Sequence, residues 1–417
     1  MTAGVLIVGG GQAGMQVAAT LRSEGFSAPI TIVGAEKYAP YQRPPLSKGF
    51  LQGVTDEAGL ELRADTFYSE NEIEVVTAET ITTASLAGDG GSALGESGRV
   101  YAFDRLVIAT GASPRRLTIP GSDAAGVLYM RDIDDALELK RRWPAAESVV
   151  VIGGGFIGLE VAAAAAKDGK HVTVLEVADR LIGRAVSSHT SEFLLDWHRA
   201  HGVEVRLGAR IEQVLTRDGV ASAVYTNEGI VPADIVVVGI GALPRIDLAE
   251  ALGLRTEPTG ILVDRFALTS DPRVLAVGDV ALQMHPARDE EHIRLESVQN
   301  AVDQGRIAAL TIMGNEHPSH TVPWFWSDQG DMKLQIAGIS SGSDEVVVRP
   351  TEHDDKFVSL YYLEGQLIAV DAVNSPGDYL TVRRALGEGR SIPAELARAS
   401  SEPLKSLLAP LTTSGSL

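Results

Sequence analysis

The sequence predicts an α/β protein in which two doubly wound units are followed by a smaller α+β domain. The first observation is an internal repeat. Val5-Leu6-Ile7-Val8-Gly9-Gly10-Gly11-Gln12-Ala13-Gly14 and Val149-Val150-Val151-Ile152-Gly153-Gly154-Gly155-Phe156-Ile157-Gly158 share one order of apolar run, glycines and Ala-rich helical pattern. Continuous aliphatic runs of this kind suit strands buried on both faces, as in a parallel sheet covered by helices. The second observation is a change of composition beyond Met313. Residues 333–338, 345–348, 357–362 and 367–370 alternate in hydrophobicity, and residues 379–388 have a helical pattern, which together read as an antiparallel sheet with a helix.

A chain of 417 residues has room for two or three domains of about 100–200 residues each. It is 45% hydrophobic and 22% charged, with material for buried cores but no long apolar run for a membrane span. Against 55 acidic side chains stand 36 basic ones, a net charge of -19 that repels phosphate backbones and anionic lipid. Neither nucleic acid nor a membrane is an expected partner. The chain has no cysteine, so disulfides, thiolate metal sites and dithiol relays are not part of its own chemistry. Redox work would require a bound cofactor. Met1-Thr2-Ala3-Gly4 runs directly into an apolar strand-like segment with neither signal-peptide nor transit-peptide character, so the expected location is cytoplasmic.

Taken in order, Gly9-x-Gly11-x-x-Gly14 follows a strand and opens a helix. Gly9 permits the tight turn, Gly11 lets the backbone approach a pyrophosphate, and Gly14 allows helix and strand to pack closely. Amides at the helix start would hold the diphosphate. The next strand, residues 30–33, leads to Glu36, placed to accept a ribose hydroxyl. Residues 87–98 are rich in Gly and Ser and are expected as a flexible turn between hairpin strands. Further apolar runs end at Thr110-Gly111, at Gly239-Ile240-Gly241 and at Gly278-Asp279, the kind of strand end where open α/β sheets meet ligands. The second loop, Gly153-x-Gly155-x-x-Gly158, leads to Glu176, whose carboxylate favours a free ribose 2′-hydroxyl and hence NADH over NADPH. Arg180 and Arg184 stand nearby and pull the other way. The tail from Ser400 has little periodicity and is expected to be loosely held.

Several separated motifs carry a resemblance. Pro40-Tyr41-Gln42-Arg43-Pro44-Pro45-Leu46-Ser47-Lys48, residues 106–111, residues 153–160, Val277-Gly278-Asp279-Val280, Glu296-Ser297-Val298-Gln299-Asn300-Ala301 and Pro323-Trp324-Phe325-Trp326-Ser327-Asp328-Gln329 resemble the FAD-dependent ferredoxin reductases of the putidaredoxin reductase and biphenyl dioxygenase reductase type. The resemblance spans residues 4 to about 390. It implies two Rossmann-like domains of glutathione reductase type. An FAD domain would comprise residues 1–112 and 245–320, an NAD domain residues 113–244, and a C-terminal domain residues 321–417.

Carried over residue by residue, the resemblance assigns Ala13 and Gly14 to the FAD pyrophosphate and Glu36 to its adenosine ribose. Arg43 and Lys48 would line the approach to phosphate and ring, with Ile81 near the adenine. Arg131 and Asp279 are further FAD contacts. Val298 would bring a helix-start amide to the pyrimidine end of the flavin, and Trp326 would flank the isoalloxazine. Gly9, Gly11, Thr110, Gly111, Gly278, Glu296 and Ser297 complete the FAD set; Gly153, Gly155, Gly158, Glu176, Arg184 and Gly241 form the NAD set. On their own, Lys48 reads better as a solvated lysine and Trp326 as core; the flanking motifs reverse that preference in favour of the site. Glu160 stands where most positions of the repeat are apolar, and an unpaired carboxylate there would be costly. A Lys48–Glu160 ion pair beside the flavin, acting as the catalytic pair, is therefore expected.

Nine histidines include no helical His-x-x-x-His pair with a supporting acid, so no metal is expected; His317 and His320 read as loop residues. Ser47 and Ser297 lack the Gly-x-Ser-x-Gly elbow of an esterase. With no dithiol to receive electrons, an external one-electron carrier is required, and a [2Fe–2S] ferredoxin or rubredoxin-like protein fits. It would feed a haem monooxygenase or a Rieske oxygenase. Arg43, Lys48, Arg294, Arg306 and Lys333 are candidates for a basic docking patch. In the relatives an aromatic often follows Asp328-Gln329, where this chain has Gly330. A monomer or weak dimer is expected. Two alternatives remain open: an NADH oxidase or monodehydroascorbate reductase, and an NADH- and FAD-binding signalling protein like apoptosis-inducing factor.

Overall fold

The structure is a computed structural model that describes residues 3–286, 288–315, 321–350, 353 and 355–408. His317, His320 and the chain from residue 409 onward lie outside the described residues. Two compact units divide the chain. The first comprises Met1–Arg43, Thr55–Ser113 and Ala242–Thr321; the second comprises Pro44–Val54, Pro114–Gly241 and Val322–Leu417.

In the first unit a parallel sheet has the order Val274–Ala276, Arg105–Ile108, Val5–Val8, Ile30–Val33, Ile73–Val76. The central strand is buried at every position because both faces are covered. Val5 and Ile7 join a core built with the helices Gln12–Ser23 and Val298–Ile312, whereas Leu6 and Val8 join a separate core with Tyr101, Phe103 and Leu248. That second core is roofed by an antiparallel meander, Ile81–Ala87, Gly90–Gly95 and Val100–Phe103. Residues 87–98, expected as a flexible turn, therefore contain the meander's middle strand. The small side chains that suggested flexibility instead permit close approach. A Cβ at Gly91 would lie 2.3 Å from Ser85 O and 2.7 Å from the Phe103 ring.

The second unit repeats the arrangement with the order Val203–Leu207, His171–Glu176, Ser148–Ile152, Ile235–Val238, Val127–Tyr129, all parallel. It also contains the antiparallel sheet Trp324–Gln329, Met332–Gly338, Gln366–Val373, Phe357–Leu363, Glu345–Pro350, packed against the helix Pro376–Gly387. The expected loose tail is corrected in part: Leu404 and Leu407 in the short turn Leu404–Leu407 are buried in the core of this sheet. Among the described residues no helix is long and apolar enough to cross a membrane.

One buried acid in this unit sets a pH dependence. The Asp371 carboxylate accepts from Ser187 N at 3.1 Å and from Tyr361 Oη, and Ser187 itself caps the helix Ser188–Ala200. Burial pushes the Asp371 carboxyl up to about 7. As pH rises from about 4 to about 7, the unfolded chain releases this proton and the folded chain keeps it, so the Asp371 contribution to stability falls. His198 acts oppositely: burial pushes it down to about 4, so its contribution is lost as pH falls below about 6.5. Asp371→Asn removes only the first effect. Thermal melts should show wild type gaining on the variant toward pH 4.5 and the variant gaining on wild type toward pH 8; a constant difference in Tm would refute the assignment.

Candidate functional site

Each parallel sheet delivers a glycine loop to the start of a helix. Gly9 has φ +125° and Gly153 φ +105°, backbone that favours glycine. A Cβ at Gly14 would lie 2.2 Å from Gly9 O and 3.1 Å from Ile7 Cγ2; at Gly158 it would lie 2.4 Å from Gly153 O and 3.0 Å from Val151 Cγ1. Helix and strand can meet only without those side chains. Gly11 and Gly155 differ: among the described residues a Cβ at Gly11 would meet nothing within 4 Å, and at Gly155 only Gly239 O at 3.8 Å. Both are the caps of their helices, neither supplies a side-chain acceptor, and neither helix has an acid in its first turn. The helices after Asp132, Ser187 and Ser297 all receive side-chain caps. Two uncapped helix starts behind open glycines fit two diphosphates, because amides and dipole there favour an anion.

Around the first loop, Glu36 accepts from Arg43 Nη2 and from Tyr41 Oη, each at 2.5 Å. A ribose hydroxyl at Glu36 would share or displace these donors. Ala13 is buried, and Gly278, with φ +77°, donates its N–H to Gln304 Oε1 at 2.6 Å. Asp279 follows in the short turn Gly278–Val280. Thr110 Oγ1 donates to Arg245 O at 2.8 Å, and Gly111 has φ +65°. Ser297 caps the helix that Val298 begins, Glu296 pairs with Arg294, and Ile81 opens the first meander strand, half-buried. All of these belong to the first unit.

In the second unit, Glu176 ends its strand and accepts from Gly154 N at 2.6 Å and Ala178 N at 2.7 Å. Arg184 is exposed, while Arg180 turns onto Gly183 O and Val186 O. Gly241, exposed with φ +104°, follows the strand Ile235–Val238. The Arg131 N–H donates to Asp135 Oδ2 at 2.9 Å at the start of the helix Ile133–Arg142.

The same unit brings Lys48 and Glu160 together across 112 positions, Nζ to Oε2 2.7 Å. Glu160 is 5% exposed, and two hydroxyls that sequence reasoning missed also donate to it: Ser47 Oγ to Oε2 at 2.6 Å and Ser327 Oγ to Oε1 at 2.7 Å. The placement follows from two periodicities. Phe156 and Glu160 share a face of the helix Phe156–Lys167 at i, i+4, and Phe325 and Ser327 share a face of the strand Trp324–Gln329 at i, i+2. Phe156 meets Phe325 at 4.6 Å between ring centroids, and Glu160 meets Ser327. Trp326, on the strand's opposite face, lies 5.5 Å from the Trp324 ring. Polar residues at inward strand positions opposite a buried helical acid were the available signal for Ser327.

Among the described residues no group of acids and histidines could hold a metal. Of the five cations proposed for docking, Arg43, Lys48 and Arg294 are committed to carboxylates.

Comparison with known proteins places the chain. Residues 3–305 match the family described as pyridine nucleotide-disulphide oxidoreductase, and residues 324–408 match the reductase C-terminal family. The chain belongs to the pyridine nucleotide-disulphide oxidoreductases. It is 40% identical over 406 residues to rhodocoxin reductase of Rhodococcus erythropolis, covering 97% of this chain and 94% of that one. The ferredoxin reductase for the CYP199A2 system of Rhodopseudomonas palustris superposes with a TM-score of 0.92 at 39% identity, covering 98% of this chain and 100% of that chain. The reductase in the covalent putidaredoxin reductase–putidaredoxin complex gives 0.92 at 35% identity, covering 97% of each. As a pyridine nucleotide-disulphide oxidoreductase with the C-terminal reductase domain, the chain is an FAD- and NAD(H)-dependent oxidoreductase.

In this family setting Glu176 offers a test of coenzyme choice. Its carboxylate would repel a 2′-phosphate while its two amide bonds hold the loop. Glu176→Gln should lower the ratio of kcat/KM for NADH over NADPH about tenfold, roughly 1.4 kcal/mol of discrimination. An unchanged ratio in steady-state assays would move specificity to another residue.

Proposed function

We propose that this chain is an NADH-dependent ferredoxin reductase that passes electrons from NADH by way of FAD to a [2Fe–2S] ferredoxin serving a haem monooxygenase or a Rieske oxygenase. The observation that carries the reading is the pairing of two uncapped glycine-loop helices with a C-terminal reductase domain in a chain that has no cysteine. The chemistry FAD supplies when bound is acceptance of two electrons from NADH and their release one at a time. The domain of residues 1–112 and 245–320 would hold FAD, residues 113–244 NADH, and residues 321–417 would form the C-terminal domain.

Within that reading, the amides behind Gly11 bind the FAD diphosphate, Glu36 takes the ribose and the start of the Val298 helix offers a positive dipole end. Lys48, Arg131, Glu160 and Trp326 are assigned to the flavin on family resemblance. Gly153, Gly155, Gly158, Glu176, Arg184 and Gly241 are assigned to NADH. Glu160 holds Lys48 in one position through a bond at 2.7 Å and keeps the ammonium from turning to solvent. A cytoplasmic location fits an enzyme that draws on NADH, and a monomer or weak dimer suffices, since each chain carries both loops.

The test is NADH-driven reduction of cytochrome c by the pure protein loaded with FAD. Cytochrome c should be reduced rapidly only when a [2Fe–2S] ferredoxin is added. Equal rates without ferredoxin, or fast oxygen consumption, would indicate an NADH oxidase. Rapid turnover with a rubredoxin alone would change the carrier.

A further inference from the structure

The hydrogen bonds around Glu160 continue inward beyond Ser327. Gln329 Nε2 lies 3.2 Å from Ser327 Oγ, and Gln329 Oε1 lies 2.8 Å from His198 Nε2. His198, Ser327 and Gln329 are all fully buried, and all lie in the second unit. Phe325, Ser327 and Gln329 are the three inward positions of one strand. They meet in turn Phe156, Glu160 and, from the helix Ser188–Ala200, His198.

The direction of each bond follows from what the groups can donate. A carboxylate only accepts, so Ser327 spends its one hydroxyl proton on Glu160 Oε1. Ser327 Oγ must then accept from the Gln329 amide nitrogen, which turns Gln329 Oε1 toward His198. An amide oxygen also only accepts, so His198 carries its proton on Nε2. His198 Nδ1, which has no hydrogen-bond partner among the described residues, is the unprotonated nitrogen. Burial pushes His198 down to about 4, in agreement with a neutral ring that holds a single proton. Every link in this chain points the same way, from His198 to Glu160.

We propose that His198 and Gln329 are positioning residues, which fix the Ser327 hydroxyl as a donor to Glu160 and so set the carboxylate that holds Lys48. Without Gln329 the Ser327 hydroxyl could rotate toward another acceptor, and Glu160 would keep only the donors on Oε2. Neither residue needs to touch a cofactor; each acts through Ser327. The inference rests on the proposed role of Glu160 in flavin reduction.

The test is a double-mutant cycle on the FAD-loaded full chain, combining Gln329→Met, which keeps the volume and removes the bonds, with Glu160→Gln. Stopped-flow reduction by NADH gives the limiting rate. Gln329→Met alone should lower it about three- to tenfold, and in the Glu160→Gln background it should lower it less than twofold. Equal effects in both backgrounds would overturn the proposal. If Glu160→Gln alone leaves the rate unchanged, the role of Glu160 is what fails. Histidine nitrogen NMR separates these cases without turnover. The Nε2 resonance of His198 should show a protonated, hydrogen-bonded nitrogen at pH 7, and it should shift in Glu160→Gln although the two residues do not touch. A His198 that is protonated on Nδ1, or whose signal ignores Glu160→Gln, overturns the chain itself. Should Gln329→Met fail to fold, Gln329→Leu serves. It cannot donate to Ser327 in any protonation state, and the same loss of rate is expected; a wild-type rate would overturn the proposal.

Discussion

Lys48→Met should destabilise the protein more than Glu160→Gln, although the two substitutions break the same ion pair. The asymmetry comes from burial: the Lys48 side chain is 22% exposed and the Glu160 side chain 4%. When Glu160 becomes neutral, Lys48 can turn to water, and the glutamine oxygen still accepts from a serine. The loss is then of the order of 1–2 kcal/mol, the cost of a weakened buried hydrogen-bond set. When Lys48 is removed, a carboxylate stays buried with two hydroxyls as its only other side-chain donors among the described residues, a loss of about 3–5 kcal/mol. Denaturant melts compare the two directly, and a larger loss for Glu160→Gln would contradict the geometry. Both variants should also slow reduction of bound FAD by NADH at least tenfold in stopped flow, about 1.4 kcal/mol in the barrier. Wild-type rates in both would remove the pair from the reaction.

Gly11→Ala should leave the fold intact and abolish the yellow colour of the purified protein. Gly11 has φ −96°, which alanine adopts freely, and its Cβ would touch nothing among the described residues. The methyl group would instead occupy the space in front of the helix start, where the diphosphate is proposed to lie. A loss of at least a hundredfold in FAD affinity is expected, about 2.7 kcal/mol. Gly155→Ala is the matched variant, with φ −85° and only Gly239 O within 4 Å among the described residues. It should retain FAD and raise the KM for NADH by a similar factor. Absorbance at 450 nm, circular dichroism and steady-state kinetics together decide between them. If Gly155→Ala loses the flavin and Gly11→Ala keeps it, the two loops have been assigned the wrong way round. Gly14→Val is a control of another kind, because its side chain collides with Gly9 O and should disturb folding itself.

The elements legible in the sequence were those whose signal is local. Both glycine loops, the aliphatic strands leading into them and the alternating C-terminal strands were readable because backbone conformation and burial on two faces dictate composition within a few residues. The meander strand Gly90–Gly95 was not, since Gly90 and Gly91 are demanded by Phe103, a residue on a neighbouring strand. The Glu160 cluster was half legible. A carboxylate in an apolar helix advertises its need for a partner, and Lys48 was found through its motif. Ser327 and Gln329 show only as polar residues at inward strand positions, and Ser47 and His198 carry no mark: a serine or histidine looks the same in a loop as at the end of a buried hydrogen bond. Their roles arise from strand and helix faces brought together over separations of more than 100 residues.

The first unit is assembled from three separate stretches of chain, with a consequence for biosynthesis. The helix Gln12–Ser23 packs on Val298–Ile312, and the sheet gains its edge strand only with Val274–Ala276. About 300 residues must therefore leave the ribosome before Val17 and Leu21 are covered, an interval of roughly 15–60 s at about 5–20 residues per second. During that time the nascent polypeptide presents a greasy stripe with nothing to bury it. Slowing elongation between codons 30 and 270 should cost yield through chaperone capture or inclusion bodies, whereas pauses after codon 315 should be harmless to this half of the molecule.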